Sequence, residues 1–358
     1  MKENREYASL IASLSNANGV SGFEDEVLRV LEKESEGLGK RHRDSLLNYY
    51  IEDERDSSLP LVQLDCHSDE VGFMVRAIRP DGMLEFMAIG GWVVTNIPAH
   101  MVRVQTASGK YIPGVVASKP PHYMSDAEKK TPLDISQLVI DIGATSAEEV
   151  RDVYRVRIAA PVVPDVTAFW DEEHDRIFGK AFDNRMGCAE VISVLSELKG
   201  EKLNVRLTGA FASQEEVGVR GATVTAQTVR PDVAIVFEGC PADDTVVPGY
   251  QVQTAVGKGP MLRHIDARMI TNPRFQRFAL DVAEEEGIPV QEAVRTGGST
   301  NGSVINLTGR GVPAIVIGIP VRYAHTHYGI SSVSDFVNGL KLAIAVIRRL
   351  SRETIESF

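Results

Sequence analysis

Leu59-Pro60-Leu61-Val62-Gln63-Leu64-Asp65-Cys66-His67-Ser68-Asp69-Glu70 carries an apolar run straight into a cluster of groups able to do chemistry. The run from Leu59 to Cys66 reads as a buried strand. Functional groups in open α/β sheets gather just past the carboxyl ends of the strands. His67 and Asp69 therefore sit where such a sheet places its site.

Upstream, Ser21 and Glu24 have the spacing of a capping box. It opens an amphipathic helix with Phe23, Val27, Leu28 and Leu31 on the apolar side. Downstream, from about Val71 to Val166, the texture changes. Short alternating segments are divided by Pro80-Asp81-Gly82, Gly90-Gly91 and Ser108-Gly109, and Lys119-Pro120-Pro121-His122 reads as an exposed loop. This predicts a small barrel or sandwich. After Ala168 helices and strands alternate again. Helices are expected at Asp183–Leu198, Pro273–Glu286 and Val333–Leu350. Strands are expected at Val205–Ser213, Val233–Glu238, Val290–Arg295 and Ala314–Ile319. The fold class is α/β: a catalytic domain with a central mixed sheet flanked by helices, from residues 1–70 and 167–358. An inserted β-barrel-like domain, residues 71–166, interrupts it.

Composition narrows the function. With 358 residues, two domains are expected, and 43% hydrophobic with 24% charged residues is ordinary globular chemistry. A net charge of -11 with no basic run argues against nucleic-acid and anionic-membrane partners. No apolar run reaches the about 20 residues of a membrane span, and the polar start lacks a signal-peptide core. Cys66, Cys188 and Cys240 are an odd, sparse set that fits a reducing cytoplasm. They read as buried packing rather than ligands.

Further segments resemble the first in placement. Asp183 opens a predicted helix in Lys180-Ala181-Phe182-Asp183-Asn184-Arg185. Glu215-Glu216 and His325 each follow a predicted strand, and Glu238 ends one. Histidines mixed with carboxylates suit Zn, Mn or Co. Neighbouring side chains on an extended backbone point to opposite sides, so one of Glu215 and Glu216 can ligate a metal while the other serves as general base. Asp183, Glu216 and Glu238 with a bridging hydroxide would balance two divalent ions. Asp183 also reads as a helix N-cap. His100, His122, His264 and His327 read as structural, with His327 the one expected nearest the site.

These segments, in order, resemble the TET-type metallo-aminopeptidases, whose relatives are described as glutamyl and deblocking aminopeptidases and, historically, endoglucanases. The resemblance spans nearly the whole chain. It includes His67-Ser68-Asp69-Glu70-Val71-Gly72, Ile89-Gly90-Gly91-Trp92, Ser118-Lys119-Pro120-Pro121-His122, Ile140-Asp141-Ile142-Gly143-Ala144, Phe182-Asp183-Asn184-Arg185, Gln214-Glu215-Glu216-Val217-Gly218 and Arg322-Tyr323-Ala324-His325. It implies that Asp183 bridges two metals, that His67 and Glu238 complete one site, and that Glu216 and His325 complete the other. Asp69 would orient the His67 ring, and Glu215 would be the general base. It also implies that the β-rich insert makes subunit contacts in a tetrahedral dodecamer. Glu238 stands where the family commonly has Asp, Asn301 replaces a frequent Asp, and Thr326-His327-Tyr328 follows His325 where Ser-Pro is frequent.

The expected activity is hydrolysis of N-terminal residues from small peptides by two-metal activation of water. Glu215 shuttles the proton, and one ion holds the free α-amino group. A glycosidase with paired carboxylates is a rival, which His67 and His325 oppose. A non-catalytic peptide-binding assembly on the same scaffold is another. A complete set of ligands and base opposes that one.

Overall fold

The computed structural model describes residues 1–131 and 133–358. The chain opens with helices α1 (Asn4–Asn16) and α2 (Asp25–Glu34), then strands β1 (Lys40–Arg43), β2 (Tyr49–Glu52) and β3 (Leu61–His67). Strands β4 (Gly72–Ile78), β5 (Leu84–Ile89), β6 (Met101–Gln105), β7 (Tyr111–Ala117) and β8 (Val139–Asp141) follow. After helix α3 (Ala147–Asp152) comes β9 (Pro161–Pro164). The chain continues with β10 (Phe169–Asp171), β11 (Arg176–Gly179), α4 (Phe182–Glu197), β12 (Arg206–Ala212), α5 (Arg220–Val229), β13 (Val233–Pro241) and β14 (Met261–Ile265). It ends with α6 (Pro273–Glu285), β15 (Gln291–Val294), α7 (Gly302–Ile305), β16 (Ala314–Val321), β17 (Gly329–Ser331), α8 (Val333–Arg349) and α9 (Arg352–Glu356).

The main sheet is mixed, in the order β1-β2-β12-β3-β13-β16-β14-β15. Its centre, β12-β3-β13-β16, is parallel. Those strands are buried along almost their whole length, as a sheet covered by helices on both faces requires. The period of two divides them cleanly. Ile235 and Phe237 join the large core under α1, α4, α6 and α8, while Ala234 and Val236 pack with Met269 and Ile305 on the other face. Along β3, Val62, Leu64 and Cys66 point into the large core. The alternate row, Gln63, Asp65 and His67, is polar and buried.

Strands β4-β5-β8-β7-β6-β9 close into an antiparallel barrel. Alternate residues fill it: Phe73 and Val75, Leu84 and Phe86, Val102 and Val104. The expected α/β architecture with a β-barrel is the one found. Strands β1, β2 and β14 lie in stretches that the sequence reading left unassigned. β1 is Lys40-Arg41-His42-Arg43 at the sheet edge, with no apolar face to signal it. β14 is interrupted by Arg263 and His264.

The expected capping box at Ser21 is absent. Helix α2 is capped at Glu24. The Ser21 hydroxyl instead donates to Asp69 Oδ2 at 2.6 Å, and Glu24 Oε1 accepts the N–H groups of Gly22 and Gln214 at 2.9 and 3.2 Å. Asp69 takes the Ser21 hydroxyl that a local cap would have used, and Glu24 turns to Gly22 and Gln214.

Candidate active site

The parallel strands end together. β3 delivers His67, the turn after β12 delivers Glu215 and Glu216, β13 delivers Glu238, and the turn after β16 delivers His325. Asp183 comes from the first turn of α4, across the sheet ends. Its N-cap role is not realised, because Ala181 is the N-cap and the Asp183 carboxylate turns to the histidines. The Asp183–Asn184 peptide is cis. Asn184 fixes this corner by donating to the Phe237 carbonyl at 2.8 Å and accepting from Gly239 N–H at 3.1 Å. A Cβ on Gly239 would lie 2.2 Å from the Phe182 carbonyl oxygen, so only glycine allows α4 and β13 to approach this closely.

Arg185 holds the other side. Its buried guanidinium donates to the Ser68 carbonyl at 2.9 Å and to the carbonyls of Leu14 and Ala17 at 2.7 and 2.8 Å. Lys180 and Arg185 share the Glu70 carboxylate, at 2.6 and 3.3 Å. The end of β3 and the start of α4 are thus locked together.

Two groups that could hold a metal ion result, sharing Asp183. His67 Nε2 lies 3.0 Å from Asp183 Oδ1 and 3.4 Å from Glu238 Oε1. His325 Nε2 lies 3.3 Å from both Asp183 Oδ2 and Glu216 Oε2. Ligand atoms within each group lie within 4.8 Å of one another. Glu215 Oε2 is 3.9 Å from His67 Nε2. The Nδ1 atoms point away. His325 Nδ1 donates to the Gly91 carbonyl at 2.8 Å, and His67 Nδ1 faces Asp69 Oδ1 at 3.3 Å. Each ring is thereby oriented with Nε2 toward the carboxylates.

Strain collects here. Ala181, Gln214, Val219, Tyr323 and His325 all have left-handed backbones, with φ between 53° and 62°. Non-glycine residues adopt this conformation only when their surroundings impose it.

The electrostatics are those of several buried carboxyl groups crowded against two imidazoles. Burial lifts Glu238 to about 8 and Glu215 to about 7; burial, then Asp183, lifts Glu216 well above its usual range. Burial opposes charge on the rings, yet Asp183, Asp69 and Glu238 lift His67 well above an ordinary imidazole. Asp183 and Glu216 similarly lift His325 to about 10. Oε1 of Glu216 and of Glu238 are buried without a hydrogen-bond partner among the described residues. Orphaned carboxylate oxygens beside oriented imidazole nitrogens fit divalent cations, because protein groups alone leave them unsatisfied.

The chain between residues 48 and 342 matches the model of the M42 glutamyl aminopeptidase family. The protein belongs to that family. A TET aminopeptidase from the marine sediment archaeon Thaumarchaeota archaeon SCGC AB-539-E09 superposes with a TM-score of 0.94 at 35% identity, covering 98% of this chain and 99% of that one. The TET1 peptidase of Pyrococcus horikoshii, which can assemble into a tetrahedron or a large octahedral shell, superposes with a TM-score of 0.86 at 25% identity, covering 96% of this chain and 100% of that one. The lysyl aminopeptidase of Pyrococcus furiosus is 28% identical, over 95% of this chain and 96% of its own. As an M42 member, the protein is a peptide hydrolase of the aminopeptidase kind.

The M42 cluster opens into a cavity of about 460 Å³. His327, the histidine expected nearest the site, does not line it. Its ring stacks on His100 at 4.0 Å between centroids and meets Trp92 edge-on, so it packs against the barrel side. Its neighbour His325 takes the site position because the intervening turn sends the two rings opposite ways. Sequence reading missed Arg263, Arg268 and Arg295, which line the cavity. The one available signal was Arg295, two residues before Gly297-Gly298. It also missed Asn301 as a wall support. Asn301 Nδ2 donates to Asp65 Oδ1 at 2.7 Å, anchoring the loop that carries Gly297, Gly298 and Ser299.

No helix of the described residues is long and apolar enough to cross a membrane.

Proposed function

We propose that the protein is a two-metal aminopeptidase that removes N-terminal residues from small peptides, with Glu215 as general base. One observation carries the reading: Asp183 is common to two ligand groups, and Glu215 faces the same cavity. His67, Asp183 and Glu238 would hold one divalent cation, and Asp183, Glu216 and His325 the other. Zn, Co and Mn suit this donor set. Such a pair supplies Lewis acidity to a water and to the scissile carbonyl.

The remaining work falls to the chain. Glu215 accepts the proton of the attacking water and returns it to the leaving amine nitrogen. Asp69 fixes the Glu215 backbone and faces the His67 ring. With cations held by His67, Asp183 and Glu238 and by Asp183, Glu216 and His325, the site would also accept the lone pair of a free α-amino group, which a peptide's N-terminus presents beside the scissile bond. Paired-carboxylate glycoside hydrolysis has no use for two imidazoles among the acids.

The barrel-bearing segment, residues 71–166, is assigned as an inserted domain that makes subunit contacts. Exposed Met87, Val93, Met101 and Val115 on and beside its strands support this, as does the assembly of the Pyrococcus horikoshii relative. The expected product is a cytoplasmic homo-oligomer, a tetrahedral dodecamer enclosing the sites, in keeping with three free cysteines.

Cleavage of amino-acid p-nitroanilides, abolished by chelator and restored by Zn, Co or Mn, tests the activity. Metal-replete protein that cleaves none of them would refute it. Light scattering tests the assembly, and a monomer at micromolar concentration would refute that part alone.

A further inference from the structure

We infer that Glu24 is a positioning residue for the reaction: its buried carboxyl group takes the Gln214 N–H and so fixes the turn that aims Glu215 into the cavity. This rests on the aminopeptidase reading with Glu215 as base.

Glu215 lies beyond β12, whose pairing with β3 ends at Ala212. Its turn must be held by something other than a strand ladder, because backbone N–H groups withdrawn from water need acceptors. Side chains supply them in succession. The Ser213 N–H donates to Asn48 Oδ1 at 2.9 Å, and the Gln214 N–H donates to Glu24 Oε1 at 3.2 Å. The N–H groups of Glu215 and Glu216 then go to the two oxygens of Asp69. Glu24 holds the link where the backbone is left-handed. Gln214 has φ of 53°, and a non-glycine residue stays there only when its surroundings impose it. Rotation about Gln214 would swing the next peptide, and the Glu215 side chain with it.

The placement of Glu24 is costly for the fold alone. The residue is fully buried, and its Oε2 has no hydrogen-bond partner among the described residues. A buried carboxyl group left partly unsatisfied is destabilising. Its Oε1 accepts from Gly22, two residues away, and from Gln214. The first bond is local and would form equally well at a surface. The second ties the N-terminal segment to the turn of the base. Asp69 serves a candidate ligand and the base together. The hydrogen bonds of the Glu24 side chain reach neither candidate-ligand group, so Glu24 separates aiming the base from holding metal.

The test uses three variants of the full chain, metal-loaded, on leucine p-nitroanilide. Glu24→Met keeps the length and loses the acceptor. Glu24→Asp keeps the carboxyl group but withdraws it by one methylene, so the test does not depend on one variant folding. Glu24→Gln keeps an oxygen in the Oε1 position. The expected loss of kcat in the Met and Asp variants is about 10²-fold, the cost of misplacing a reacting group by about 1 Å, and Gln should recover at least about 10-fold of it. KM, and metal affinity measured by competition with a chromophoric chelator, should stay within about 3-fold, because neither substrate nor metal is held by Glu24. In a Glu215→Gln background, Glu24→Met should cost less than about 3-fold more, since a base already removed cannot be misaimed.

Wild-type kcat in both Met and Asp variants overturns the inference, as does a Gln variant as slow as Met. So does metal affinity that falls in step with kcat, or the full loss recurring in the Glu215→Gln background. In each case cleavage by the wild type leaves the aminopeptidase reading standing. A metal-loaded wild type that cleaves no p-nitroanilide, or a Glu215→Gln variant as fast as wild type, overturns the underlying reading and the inference with it.

Discussion

Asp69 holds Glu215 by its backbone: the Glu215 N–H donates to Asp69 Oδ1 at 2.9 Å, and that same oxygen faces His67 Nδ1 at 3.3 Å. Oδ2 accepts the Glu216 N–H at 3.1 Å and the Ser21 hydroxyl at 2.6 Å. One buried carboxylate therefore positions a proposed base, one candidate ligand in each group and a residue of the N-terminal segment. Burial opposes its charge. The His67 ring, Ser21 and the Glu215 N–H outweigh burial and keep its pKa below the usual carboxylate range.

Asp69→Asn is accordingly expected to weaken metal binding about 10–100-fold, the usual cost of losing the group that orients a ligand. The amide keeps the shape but cannot accept at both positions. Competition against a chromophoric chelator measures this. Unchanged affinity would reduce Asp69 to a structural residue.

Glu215→Gln should keep fold and metal while turnover falls about 10²–10⁴-fold, the typical worth of a general base. The amide is nearly isosteric and takes no proton. Single-turnover rates on metal-loaded protein are the measurement, and a wild-type rate would assign the base elsewhere.

Asn301→Asp is expected to loosen the cavity wall. The change removes the donor that Asp65 uses and sets a second carboxylate against a buried one. A loss on the order of 1–3 kcal/mol is expected from an unsatisfied buried group. KM should rise more than kcat falls, because the wall carries no ligand. Urea unfolding and steady-state kinetics check the two parts, and a variant as stable as wild type with unchanged KM contradicts both.

Glu190 gives a pH prediction remote from the ligands. It is fully buried on α4, and neither of its oxygens has a partner among the described residues. Burial alone pushes its pKa well above the usual value of 4.5. The folded state therefore holds a proton that the unfolded state has released. Stability from this group is complete below about pH 4.5, and it falls as pH rises toward the folded pKa. Glu190→Gln cannot ionise, so it should match wild type near pH 4.5 and exceed it at pH 8 by on the order of 1–3 kcal/mol. Identical unfolding midpoints at both pH values would show that Glu190 is solvated or paired.

Much of the fold is local in origin, and the sequence carries it. The apolar runs of β3, β13 and β16 and the periodicity of α6 and α8 are set by neighbours along the chain. The short-strand texture of the barrel is set the same way. These elements lie within a few residues of their expected bounds. The candidate ligands were legible because each lies at or just past the end of an expected strand or opens a helix, a position and not a distance. What the sequence could not supply is every relationship across the sheet order β12-β3-β13-β16. Ser21-x-x-Glu24 reads as a cap, but Asp69 and Gln214, far away in sequence, take both side chains. His325 and His327 differ only in which way a turn sends each ring. Arg263, Arg268 and Arg295 look like surface charge until β14 and the segments beyond β14 and β15 bring them to one cavity. Backbone periodicity is fixed by torsions and burial over a few residues. Convergence of side chains from separate segments is fixed by packing, which exists only once the chain has folded.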